Sequence, residues 1–244
     1  MRELPILMNG AMVRAVLEGR KTVTRRLVKP QPFDRSWSSR DHRIAYLTGR
    51  ASDGDEVDGL YAYTTSSGGE WQAKSPYGQP GDRLWVRETW GLFDPFPALD
   101  TAEESMEVVY RVHHHGRQPV RWRPSIHMPK EYARIWLEVT AVRVERLQDI
   151  TEDQAKAEGC FFTDYGRECG HTGFGWTDVG GCPGHESTHP QRAGWMWGTT
   201  ASHRECLHSA RFAFGNLWNS TGGNWDDNPW VWVVEFRRLE KPHG

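Results

Sequence analysis

Residues 5–26 read PILMNGAMVRAVLEGRKTVTRR, and the fold turns on how this stretch is divided. Asn9 can cap a helix, Met12, Val13, Val16 and Leu17 share one face at helical spacing, and Gly19 stands where a left-handed C-terminal residue is wanted. The spacing predicts a helix within residues 5–18, closed by Gly19. Arg20, Lys21, Arg25, Arg26 and Lys29 follow with no acid among them. Residues 1–40 hold nine Lys/Arg against three Asp/Glu, so this segment is basic. The whole chain of 244 residues carries a net charge of −2, which removes a global basic field as an argument for nucleic acid.

Outward from that stretch, residues 31–80 are rich in Gly, Ser, Asp and Pro and read as long loops. Pro80-Gly81-Asp82 is a turn leading into a short strand, Leu84-Trp85-Val86. Prolines 95, 97, 119, 124 and 129 punctuate an irregular 93–130. The clearest strand is 134–147: Ile135, Leu137 and Val139 alternate with polar or aromatic neighbours, then the apolar set shifts phase to Val142 and Val144, as at a β-bulge. Thr151-Glu152-Asp153-Gln154 is a capping box for a short helix ending near Glu158 and Gly159. Residues 160–200 show no period. Ser202-x-x-Glu205 is a second capping box, for a helix carrying Leu207, Ala210, Phe214, Leu217 and Trp218 on one stripe. Trp230–Phe236 closes the chain as a buried strand. Short strands, turns and two or three helices argue for a small β-barrel or an α+β domain with long insertions.

Composition narrows the class. Hydrophobic residues make up 37% and charged residues 25%, the balance of a globular chain. The longest apolar run, Trp230–Val234, falls far short of the ~20 residues a membrane helix needs. The start lacks a secretory pattern, so a cytoplasmic protein is the expectation. Thirteen Trp supply both core volume and surfaces for stacking bases. All four Cys lie between Cys160 and Cys206, which in a reducing compartment reads as metal or thiols before disulfides.

Several stretches together resemble the ASCH family of the PUA-like superfamily. They are Gly19-Arg20-Lys21-Thr22-Val23-Thr24-Arg25-Arg26 after an N-terminal helix, Gly81-Asp82-Arg83-Leu84-Trp85 opening a strand, and Leu147–Glu152 entering a helix. The phrases GDRLWVRETW and WRPSIHMP are similar to the larger ASCH proteins of phages and prophages, which implies a bacterial host cell. The resemblance covers residues 5–30, 78–90, 120–160 and 205–238. It implies one domain over 1–244, a PUA-like small β-barrel of α+β class with flanking helices and insertions at about 31–77, 91–120 and 160–204. Small bacterial members include an amidohydrolase that removes acetyl from N4-acetylcytidine with a Lys, a Thr and a Glu. Matched by position, these fall on Lys21, Thr24 and Glu158. This chain is more than twice as long as those enzymes, and its last insertion begins just beyond Glu158.

The chemistry asked of such a trio is specific. A lysine activates a hydroxyl only while neutral, which requires desolvation or a cationic neighbour; Arg20, Arg25 and Arg26 would supply the neighbour and could bind phosphate. Thr24 would attack the amide carbonyl or orient water, and Glu158 would hold a proton for the leaving amine. Read alone, Lys21 is a surface lysine touching phosphate, Thr24 a turn or strand residue bonding its own backbone, and Glu158 a solvated helix residue. Arg25 and Arg26 with Trp85, Trp122, Arg123, Ser125 and His127 could instead wall a groove for single-stranded nucleic acid. Two alternatives to the hydrolase follow: an RNA or modified-base reader without chemistry, and a single-stranded RNA endonuclease. Either way the partner is a modified nucleoside or a single strand, and no catalytic cofactor is called for. His113-His114-His115 reads as an exposed loop.

The Cys/His segment offers Cys160, Cys169, His171, Cys182, His185, His189, Cys206 and His208. Spacing is irregular, but Cys182-Pro-Gly-His185 is a local pair. A segment with almost no aliphatic residues cannot bury a core, and a structural zinc would hold it together. Cys169, Cys182 and His185, with Cys160, are the expected ligands; thiols in a Trp-packed loop are the alternative.

Overall fold

In the computed structural model, residues 1–32, 42–50, 54, 56–64, 71–93, 106–114, 121–169, 179, 182 and 184–240 are described. The chain opens with strand β1, Glu3–Leu7, and helix α1, Gly10–Leu17. The Asn9 side chain accepts from the Met12 amide and starts the helix. Gly19, at φ 75°, ends it, and the amides of Arg20 and Lys21 turn back onto the Ala15 carbonyl. Strand β2, Val23–Leu27, follows.

Further strands are β3 (His42–Arg50), β4 (Glu56–Thr64), β5 (Gln72–Lys74), β6 (Arg83–Arg87), β7 (Trp90–Phe93), β8 (Glu107–Tyr110) and β9 (Trp136–Arg146). Helix α2 (Glu152–Ala157), strands β10 (Phe161–Arg167) and β11 (Gln191–Met196), helix α3 (Ala210–Ser220) and strand β12 (Trp230–Leu239) complete the order. The chain divides into two compact units, Met1–Asp149 with Asp227–Gly244, and Ile150–Asp226.

The first unit is built on a five-stranded sheet in the order β1-β6-β9-β12-β2. Only β1 and β6 run parallel; the other neighbours are antiparallel. Its inner strand β12, between β9 and β2, carries Trp230, Trp232, Val234 and Phe236 into a core shared with Val13 and Val16 of α1 and Leu137, Val139 and Val144 of β9. The phase shift read from Val139 to Val142 is a real bulge. Glu235 and Phe236 of β12 face Ala141 and Val139, so Thr140 is the extra residue on β9.

The same core takes Ala62, Trp71 and Ala73 from the antiparallel sheet β3-β4-β5. That sheet replaces the loops expected over 31–80. Strands β7 and β8 form another pair, over a smaller cluster of Trp85, Trp90, Met128 and Ala133. The protein is thus a β-rich α+β structure, and among the described residues no sheet closes into a barrel.

The second unit holds α2, α3 and the hairpin β10-β11. The capping box at Thr151 and Gln154 forms as expected. The box at Ser202 starts only a single 3-10 turn, His203–Glu205, and Ser209 caps α3 instead. Glu152 joins the two helices by accepting from the Ala210 and Arg211 amides. Strands β10 and β11, unforeseen in 160–200, pair from Phe161 opposite Met196 to Arg167 opposite Gln191. Gly194 of β11 has no room for a side chain, because a Cβ there would stand 2.5 Å from the Cβ of Cys206. No helix among the described residues is long and apolar enough to cross a membrane.

Candidate functional site

Gly19 decides where Lys21 goes. The left-handed turn folds the chain back over the end of α1, leaving Arg20 paired with Glu18 at the surface and carrying Lys21 inside. Lys21 is 2% exposed, and its Nζ donates to the Val23 carbonyl at 2.8 Å. Thr24, one residue into β2, is 1% exposed. It stands opposite Val234, so it lies on the sheet face that carries the apolar core. Arg25 is on the other face. Its guanidinium is fully buried and paired with Glu145, which Arg143 also meets at 3.1 Å. Arg143 reaches on to Glu235. Burial works against the Arg143 charge, but the two carboxylates outweigh it and hold its pKa above the usual value.

Glu158 belongs to the second unit, at the C-cap of α2, and is 3% exposed. A carboxylate at the C-terminal end of a helix meets the negative end of the dipole, so helix stability does not select it there. Only eight polar or charged residues are buried among those described: Lys21, Thr24, Arg25, Ser75, Asp82, Glu88, Glu158 and His189. Several have evident structural roles. Asp82 accepts from the Arg2 and Gln79 amides, Glu88 takes a two-pronged contact from Arg134, and Arg25 meets Glu145. Three of the eight are the residues matched to the amidohydrolase trio.

The groove residues are distributed differently. Arg26 donates to the Leu7 carbonyl, and its charge partly offsets the burial that raises the Tyr77 phenol pKa. Trp85 is buried, with the Arg87 guanidinium 5.3 Å from its ring centre. Arg123 is exposed and lies 5.0 Å over Trp90. Trp122 is half-buried against His114, at 5.4 Å edge to face. Ser125 and His127 sit on one 3-10 turn, with His127 exposed. The basic N-terminal run is therefore not one solvent-facing wall, since Lys21 and Arg25 point inward. Of the three consecutive histidines, His113 contacts Arg134 at 2.9 Å; His115 lies outside the described residues.

The Cys/His segment is gathered differently from the sequence expectation. Cys169, Cys182 and His189 bring one donor atom each within 4.8 Å of one another. His185 is not in that group; its Nδ1 lies 2.9 Å from the Ser187 hydroxyl and accepts from the Ser187 amide. Cys160 precedes β10 whereas Cys169 follows it, so the length of that strand stands between them. His171 lies outside the described residues. The signal for His189 was available in principle. It stands two residues before β11 as Cys169 stands two after β10, but only the hairpin makes that symmetry visible.

A separate pocket of about 230 Å³ in the second unit is lined by Leu207, Arg211, Phe212, Gly215, Asn216, Asn219 and Trp225, none of them a sequence-predicted site residue. Compared with known protein families, curated proteins and solved structures, the chain has no match in any of the three.

Proposed function

We propose that this chain is an ASCH-like hydrolase with a PUA-like fold that removes an N4-acyl group from a modified cytidine. The observation that carries the reading is the burial of Lys21 and Glu158, at positions a surface loop and a solvated helix end would leave in water, with Thr24 buried on the core-facing side of β2. Lysine and glutamate are rarely fully buried, and Lys21 is held there in part by its bond to the Val23 carbonyl. Burial also supplies the desolvation that a hydroxyl-activating lysine requires.

In this reading Lys21 takes a proton from the Thr24 hydroxyl, or from a water that Thr24 orients. The oxygen attacks the acyl carbonyl, and the C–N bond to the cytosine amine breaks. In the family resembled, the glutamate that falls by sequence on Glu158 supplies the proton the leaving amine needs. One water is consumed, and a carboxylic acid and the free amine are released. Lys21→Ala is expected to lower turnover of N4-acetylcytidine by at least about 100-fold, the usual contribution of a positioned acid or base. Unchanged turnover in Lys21→Ala would remove Lys21 from the chemistry.

A reader of single-stranded RNA is the second reading, favoured by the exposed Arg123 stacked over Trp90 beside the exposed Ile126 and His127. It predicts salt-dependent binding without product, weakened by Arg123→Ala. A flat isotherm at low salt would set it aside. The endonuclease reading requires the 2′-hydroxyl, so cleavage of an all-deoxy strand would exclude it.

A further inference from the structure

We infer that Cys169, Cys182 and His189 bind one zinc ion that fastens the open end of the β10-β11 hairpin. Two observations meet here. The first is the position of the donors. Cys169 and His189 flank the last pairing of the hairpin, where the Glu168 amide donates to the Pro190 carbonyl at 3.2 Å and Arg192 pairs with Glu168 at 2.8 Å. The strands thus set two ligands side by side before any metal arrives. Cys182 comes from the connection between them and completes the group.

The second observation is distance. The sulfurs of Cys169 and Cys182 are 3.9 Å apart. Two thiolates on one tetrahedral zinc, each at about 2.3 Å, stand ~3.8 Å from one another. A disulfide would require about 2.0 Å. Two thiolates and an imidazole form a borderline-soft donor set that suits zinc rather than magnesium or calcium. Each thiol gives its proton to the buffer on binding.

The surroundings explain why a metal is needed. Between Cys169 and His189 the chain holds six glycines and one aliphatic residue, Val179. Phe174 and Trp176 are its other large apolar side chains, and its glycines lose much backbone entropy on ordering. Cys169 and His189 are nonetheless 3% and 5% exposed. A coordinated ion offsets part of that ordering cost.

The test uses the full chain, stripped with a chelator under reducing conditions and titrated with Co²⁺. One equivalent should bind, with a thiolate-to-cobalt charge-transfer band and the visible absorption of a tetrahedral ion, both displaced by Zn²⁺. Cys169→Ser, Cys182→Ser and His189→Ala should each weaken zinc binding by more than the roughly 10–100-fold that losing an outer-shell partner costs. His185→Ala should bind as the parent does, and His189→Cys should keep a site if the chain folds. Circular dichroism on each variant separates lost binding from lost folding. No cobalt uptake by folded parent protein would overturn the inference. So would loss of the band in His185→Ala with retention in His189→Ala, or a Cys169–Cys182 disulfide in protein purified anaerobically without zinc.

Discussion

Arg25 is buried on one face of the five-stranded sheet with Glu145 and Arg143 around it, while the other face carries Trp230, Trp232 and Val234. At the end of the β10-β11 hairpin, Cys169 and His189 are buried with hardly an aliphatic residue in the connection they bracket. In the first region apolar packing is abundant, and the buried charge is held by protein carboxylates. In the second, aliphatic residues are scarce in the sequence, and the Cys169 and Cys182 sulfurs lie 3.9 Å apart beside His189. The contrast teaches that buried polar side chains need not share a purpose. The identity of the neighbours separates a structural ion pair, a metal ligand and a catalytic group.

The largest expected effect comes from removing the packing that defines the first region. Trp232→Ala should cost about 3–5 kcal/mol in urea unfolding, whereas Val179→Ala in the hairpin connection should stay within about 0.5 kcal/mol. Equal costs would mean that the connection has a core of its own. Next comes the ion pair: Glu145→Ala should cost about 3 kcal/mol, because the fully buried Arg25 guanidinium then loses that carboxylate. An unchanged midpoint would show that Glu145 does not hold Arg25.

Zinc should act on the second region alone. Amide exchange at Glu168 and Thr188, measured with and without the ion, should slow roughly tenfold or more on binding, about 1.4 kcal/mol of added protection. The Leu84 and Val234 amides should not respond. Uniform slowing would erase the contrast.

The smallest effect lies on the exposed edge of the first region. Hydrogen bonding from Lys130 holds the Glu3 carboxyl below its usual range, helped by Arg83. A depressed folded value means this stabilisation is present above the ordinary carboxylate pKa and is lost as pH falls through the folded one. Lys130→Ala should therefore lower stability slightly near neutral pH and leave it unchanged in strong acid. A larger loss in acid would reverse the sign and refute the pairing.

Legibility followed locality. Asn9, Gly19, Thr151 and the bulge at Thr140 were readable because each rests on residues a few positions apart. Strand β1 was not, since its partner β6 lies about eighty residues away and pairs in parallel. The β3-β4 and β10-β11 hairpins were hidden by polar, Gly-rich sequence in which period-2 alternation is faint. Ser202 offered the same motif as Thr151, yet the helix waited for Ser209, because a capping box permits a helix start without compelling one. At the candidate site, residue types were legible from the resemblance, but burial was not. Neither the inward turn of Lys21 and Arg25 nor the choice of His189 over His185 is written in spacing alone.

On the proposed reading, Lys21 and Thr24 serve hydrolysis of an N4-acyl cytidine. The most direct measurement is cytidine release from N4-acetylcytidine by the purified chain, followed by chromatography, with Lys21→Ala beside it. Turnover by the parent protein and its loss in the variant are expected, with the circular dichroism of the two alike. No turnover by folded parent protein, or equal turnover by both, would contradict that reading.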